Sequence, residues 1–140
     1  MKTSAHNLAS LVIAVPVGCL VQHYTGDNTA GLCAAAGCAS GIWFSPDLDL
    51  GENRKARIKN WPWVMFWWPY AKAFKHRSFW SHAPIVGTAI RMVYFWGIIG
   101  AALWLLSFGD VFFRLPWALI AWGCIGLALA DTAHWLMDNT

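Results

Sequence analysis

Asp131, His134 and Asp138 stand three and four residues apart near the end of an apolar stretch. On a helix, that spacing puts one imidazole and two carboxylates on a single face. Groups of the same chemistry stand at the ends of other apolar stretches. His6 lies near the start of the chain, Asp47 and Asp49 sit in Ser-Pro-Asp-Leu-Asp, and His76 and His82 bracket the entry to a third stretch. Imidazole together with carboxylate suits a divalent ion such as Zn, Mn or Fe, and the lack of cysteine in the set suits a catalytic or exchangeable site over a structural one. Eight candidate ligands exceed what one tetrahedral ion needs. They leave room for two metals, or for residues that orient ligands and handle protons.

The depth of Asp131 is the strongest single argument. It lies nearly two turns inside an apolar helix, where a bare carboxylate is costly and normally has a partner or a function. Each residue alone has a plainer reading. Asp47 could bond nearby backbone amides in a turn, Asp131 with His134 could form a hydrogen-bonded pair, and Asp138 could be a solvated terminal residue. Their convergence from four helices onto one face favours metal. Arg91, over two turns into the third stretch, is expected to pair with Asp131; as an alternative it holds a phosphate or carboxylate of a substrate. Arg77, beside His76, is a candidate for an anionic head group, or for lipid phosphate.

The elements that must position these residues are apolar blocks. Of 140 residues 58% are hydrophobic and only 12% charged, about half the charge of an ordinary soluble domain. The blocks predict an all-α polytopic membrane protein: a four-helix transmembrane bundle with spans at about 5–22, 29–45, 82–107 and 116–137, forming one domain. The first two are short for a bilayer core. Gly37 and Gly41 form a G-x-x-x-G pair that lets a neighbouring helix approach. Ser4 and Ser81 are expected N-caps, and Pro84 and Pro116 suit first turns. Between spans two and three, 46–60 reads as a polar loop, and Trp61–Lys75, with two prolines, as a partly helical segment lying in the membrane interface.

Of eleven tryptophans many gather at block edges (Trp43, Trp61, Trp63, Trp67, Trp68, Trp80, Trp117 and Trp135) and read as interfacial anchors. Lys2 and the seven basic residues from Arg54 to Arg77 set the orientation: both termini and the central loop face the cytoplasm. A net charge of +3 is too small to argue for nucleic acid. Cys19, Cys33, Cys38 and Cys124 all lie in apolar blocks and read as small buried hydrophobes, neither disulfides nor ligands. No cleavable signal peptide is evident.

The motifs Ser-Pro-Asp-Leu-Asp (45–49), His-Arg-Ser-Phe-Trp-Ser-His (76–82), Gly87-Thr88 with Arg91, and Asp131-x-x-His134-x-x-x-Asp138, with His6 before them, cover nearly the whole chain. In that order they resemble a family of uncharacterised metal-binding membrane proteins common in cyanobacteria, and more distantly bacterial inner-membrane proteins regarded as metal-dependent hydrolases. The resemblance implies metal binding by His6, Asp47, Asp49, His76, His82, Asp131, His134 and Asp138, with one or two divalent ions, in a bacterial inner or thylakoid-type membrane. It also implies possible hydrolysis of a phosphoester or lipid-linked substrate; no catalytic residue comes with it. A second reading is a non-catalytic structural or assembly subunit that docks other membrane proteins. Metal transport ranks third, because the acids cluster at one face and mark no polar path through the bilayer.

Overall fold

The computed structural model describes residues 3–44, 62–74 and 78–138, with side chains described at 8–44, 62, 65–74, 78–80 and 83–138. Helix α1 spans Thr3–Thr25 and α2 Asn28–Ala39, which tightens into a 3₁₀ turn at Ser40–Ile42. After the central segment come α3 (Trp63–Ala73), the single turn α4 (Phe79–His82), α5 (Pro84–Leu105), the short α6 (Gly109–Phe113) and α7 (Trp117–Asp138). The described residues hold helices and no strand.

Three of these helices are long and apolar enough to cross a membrane: α1 over Leu8–Thr25, α5 and α7. Their outer faces carry exposed Leu11, Val12, Val15, Val93, Leu105 and Leu136. The fourth expected span is different. Twelve residues of α2 rise about 18 Å, and the 3₁₀ turn brings that to about 24 Å, short of a hydrocarbon core of about 30 Å.

A tight hairpin joins α1 to α2. Gly26 takes the left-handed conformation (φ 68°) that closes a helix end, and its N–H donates to the Gln22 carbonyl at 2.9 Å. Asp27 then caps α2, its carboxylate accepting from the Thr29 N–H at 2.7 Å. The Gln22 amide donates across the turn to Asn28 Oδ1 at 2.7 Å.

Helix α2 runs between α1 and α7, and its small residues let backbones touch. A Cβ added at Gly37 would collide with the Gly123 carbonyl, and one at Gly126 with that of Ala34. On the other side, a Cβ at Gly18 would lie 2.9 Å from the Ala35 methyl. Ala34 and Cys38 are fully buried in this seam. Near its end Cys38 Sγ donates to the Ser10 carbonyl at 3.5 Å, and a Cβ on Gly41 would sit 3.0 Å from that of Ala130. The first turns of α1, the end of α2 and the last turns of α7 therefore share one end of the bundle.

Several local expectations need correction. Helix α5 starts at Pro84 with Ala83 as N-cap, and Ser81 falls inside α4. Proline disfavours the α conformation of the residue before it, so Ala83 turns extended (ψ 126°) and breaks the helix there. Ser4 is likewise inside α1. Cys19 is exposed, whereas Cys38 is buried and Cys33 and Cys124 half-buried; all four are free thiols.

Segment 63–73 is a continuous helix despite Pro69, and one of its faces is core. Trp67 and Tyr70 are each 1% exposed, so Trp67 is no interfacial anchor. Its ring lies 5.3 Å from Tyr94 and stacks on Phe95 at 6.5 Å, while the Tyr94 hydroxyl donates to the Phe66 carbonyl at 2.6 Å. The opposite face keeps Met65 and Trp68 exposed, with the Lys72 ammonium 5.2 Å above the Trp68 ring.

Candidate metal centre

The last two turns of α7 carry the polar face that the 131–134–138 spacing implies. Because α7 is helical without interruption from Trp117 to Asp138, the three residues share one side of it. Asp131 and His134 are buried, and Asp138 sits at the rim. His134 Nε2 lies 3.4 Å from Asp138 Oδ2.

Asp131 faces α5. Its Oδ2 accepts from Arg91 Nη2 and from the Thr88 hydroxyl, and all three side chains are 3% exposed or less. The pairing of Arg91 with Asp131 expected from their depth is present. Thr88 and Arg91 are three residues apart, on one face of α5, and so reach the same carboxylate. The Thr88 hydroxyl also lies 2.5 Å from the Pro84 carbonyl; its single proton serves one acceptor at a time. Two opposite charges that cancel and bond each other can be held out of water. Either one left alone there would cost about 3–5 kcal/mol.

Thr88 received no role from the sequence, although its spacing to Arg91 was there to be read. The contact of Cys38 with the Ser10 carbonyl was missed as well. Their contact depends on how α1 and α2 cross, and no pattern in either segment encodes that crossing.

The remaining ligand candidates divide in two groups. His6 lies on α1 four residues before Ser10, about 6 Å of rise nearer the helix start, and His82 ends α4, two residues before Pro84. Their helices bring both backbones to the end of the bundle where α7 terminates, and their side chains are outside the described residues. Asp47, Asp49, His76 and Arg77 lie outside the described residues altogether. Among the described residues, no group of three or more His, Cys, Asp or Glu is arranged to hold a metal ion.

A family model described as "Uncharacterized metal-binding protein (DUF2227)" matches residues 2–140. The chain belongs to this family. It matches no curated protein and no solved structure.

The DUF2227 description makes the end of α7 the place to test for a metal fit. Two ligand atoms bound at about 2.0–2.1 Å in a tetrahedral site lie about 3.4 Å apart. His134 Nε2 and Asp138 Oδ2 stand at 3.4 Å, and they are the ligand types a divalent ion takes. These two atoms fit as one edge of a coordination shell. Asp131 is placed differently, because its Oδ2 already carries two donors and its charge is matched by Arg91.

Proposed function

We propose that this DUF2227 protein is a multi-pass membrane protein that binds one or two divalent ions at the end of its bundle where α7 terminates. The observation that carries this reading is the His134–Asp138 edge, 3.4 Å across, on the end of the bundle to which the backbone also brings His6 and His82. Three apolar helices with apolar outer faces support the membrane location. The placement of Lys2 and of the basic residues between Arg54 and Arg77 supports cytoplasmic termini, in a bacterial inner or thylakoid-type membrane.

In this reading His134 and Asp138 bind the ion together with donors from His6, Asp47, Asp49, His76 and His82. Asp131 stands behind them, fixing α7 against α5 through Arg91 and Thr88. A bound divalent ion supplies Lewis-acid polarisation and a bound water of lowered pKa. That chemistry suits hydrolysis of a phosphoester or a lipid-linked ester, in which Arg77 orients an anionic group, Arg91 holds the buried wall in place, and a carboxylate or imidazole not bound to metal moves the proton.

Elemental analysis of detergent-purified protein tests the reading, with His134→Ala and Asp138→Asn beside the wild type. Stoichiometric Zn, Mn or Fe in the wild type, lost from both variants while each remains folded, is the expected result. A folded wild type that holds no metal after incubation with Zn, Mn or Fe would overturn it. Turnover of a generic phosphoester with the retained metal, absent from the same two variants, separates an enzyme from an assembly subunit.

A further inference from the structure

Three contacts mark one level across the bundle. Arg91 of α5 meets Asp131 of α7, a Cβ on Gly41 would stand 3.0 Å from that of Ala130, and the Ser10 carbonyl accepts from Cys38 Sγ. From that level to the end where Gly26 turns, the helices have nearly one length. Residues 10–25, 91–105 and 117–131 each rise about 21–23 Å, and α2 with its 3₁₀ turn about 24 Å. No Asp, Glu, Lys or Arg occurs in 11–25, 28–42, 92–105 or 117–130. Among the described residues the buried aliphatic hydroxyls, charges and imidazole belong to Ser10, Thr88, Arg91, Asp131 and His134, and all stand at the level or beyond it. Past it α5 and α7 each continue for seven residues, about 10 Å.

Two further features stop at or near the same level. Helical backbone ends after Ile42, and Trp43, which follows it, is exposed. Helix α3 rests on α5 at Tyr94 and Phe95, within about 6 Å of Arg91 along the helix, and leaves Met65, Trp68 and Lys72 exposed. Hydrocarbon that covered α5 and α7 to their ends would also cover this irregular backbone and this ammonium, and it satisfies neither. A boundary at the common level leaves both in the head-group layer, where Trp and Lys side chains are favoured. We propose that the lipid head-group layer reaches down to this level, so that the bundle crosses only about 21–24 Å of hydrocarbon, against an ordinary core of about 30 Å, and its metal end stands among lipid phosphates. The proposal rests on the membrane reading above. The surface that meets the phosphates is Trp43, Trp68 and Lys72, with Trp135 four residues past Asp131 on α7. A phosphoester then reaches His134 and Asp138 sideways, from the head-group layer.

Thiol labelling in vesicles of phosphatidylethanolamine and phosphatidylglycerol tests this. The background is Cys19→Ser, which removes an exposed native thiol and sets the baseline. Single cysteines replace Ile85 and Ala89, beyond the level, and Ile98 and Ile125, between it and the far end; all four positions are exposed. N-ethylmaleimide crosses bilayers but reacts with thiolate, which forms in water, so its rate reports water contact whichever way the protein is inserted. Ile85→Cys and Ala89→Cys are expected to label at least tenfold faster than Ile98→Cys and Ile125→Cys. If Ala89→Cys is as slow as Ile98→Cys, hydrocarbon covers it; the proposal falls and the membrane reading stands. If Ile98→Cys and Ile125→Cys label as fast as Ile85→Cys, water reaches the whole bundle and the membrane reading itself fails. A second measurement needs no variant. The wild type should melt at a higher temperature in dimyristoleoyl than in dioleoyl phosphatidylcholine, because the thinner bilayer matches the short span. The reverse order overturns the proposal.

Discussion

The α2–α7 seam and the Arg91–Asp131 pair lie within a few turns of each other on α7, yet they hold the bundle by opposite means. In the seam, glycines bring carbonyl and Cα into contact, and nothing is charged. At the pair, two full charges are buried together with a hydroxyl. The seam fixes how close two helices come and is intolerant of volume. The pair fixes which residues of α5 and α7 face each other, and is intolerant of a change in charge. An apolar interface of small residues can slide by a turn at modest cost; a buried ion pair cannot, because every other register leaves a charge without its partner.

The largest effect should come from adding volume to the seam. Gly37→Leu or Gly126→Leu places a side chain where a neighbouring carbonyl already stands, and the loss should exceed about 4 kcal/mol. Size-exclusion chromatography in detergent should show aggregate in place of a monodisperse peak, while Gly97→Leu, which meets open space, behaves as wild type. Breaking the charge balance comes next. Arg91→Met should cost about 3–5 kcal/mol by leaving Asp131 buried alone. Combining it with Asp131→Leu should recover most of that loss in thermal unfolding. If the double variant is as damaged as the sum of the two single ones, the pair is not the register device described here.

A smaller change sharpens the contrast between holding and binding. His134→Ala and Asp138→Asn should each abolish stoichiometric metal in elemental analysis, with the metal-free protein losing only about 1 kcal/mol. Asp131→Asn, by contrast, should shift stability more than metal content. The smallest effect belongs to the far end of the bundle. Asp27→Ala removes the cap of α2 and should cost about 1 kcal/mol, seen as a small drop in melting temperature with metal unaffected.

What the residues reveal in advance depends on whether a pattern is local. The helices were legible because apolar runs and their punctuation are local: Gly26 with Asp27 at the first turn, and Pro84 and Pro116 at helix starts. The meeting of Arg91 with Asp131 was legible too, since two buried charges of opposite sign on different helices have few other solutions. The buried face of α3 was not. Aromatic residues stand on every side of that helix, so composition does not distinguish Trp67, packed on Tyr94, from Trp68, which stays outside. The second block was legible as short for a span, but the point where its helix ends was not. Its Gly, Ala and Cys residues read as apolar, but helix geometry ends at Ala39, and the residues after it tighten into a 3₁₀ turn.

That brevity has a consequence for how the chain is made. In the membrane reading proposed above, a twelve-residue helix rich in glycine and alanine gains little by entering a bilayer alone, so α2 enters with α1, as the hairpin closed by Gly26 and Asp27. Half of its surface then remains without its packing partner until α7 arrives, and α7 is synthesised after α3 to α6. In that reading a ribosome stalled before Trp117 leaves a hairpin whose small-residue face is open to a neighbouring helix.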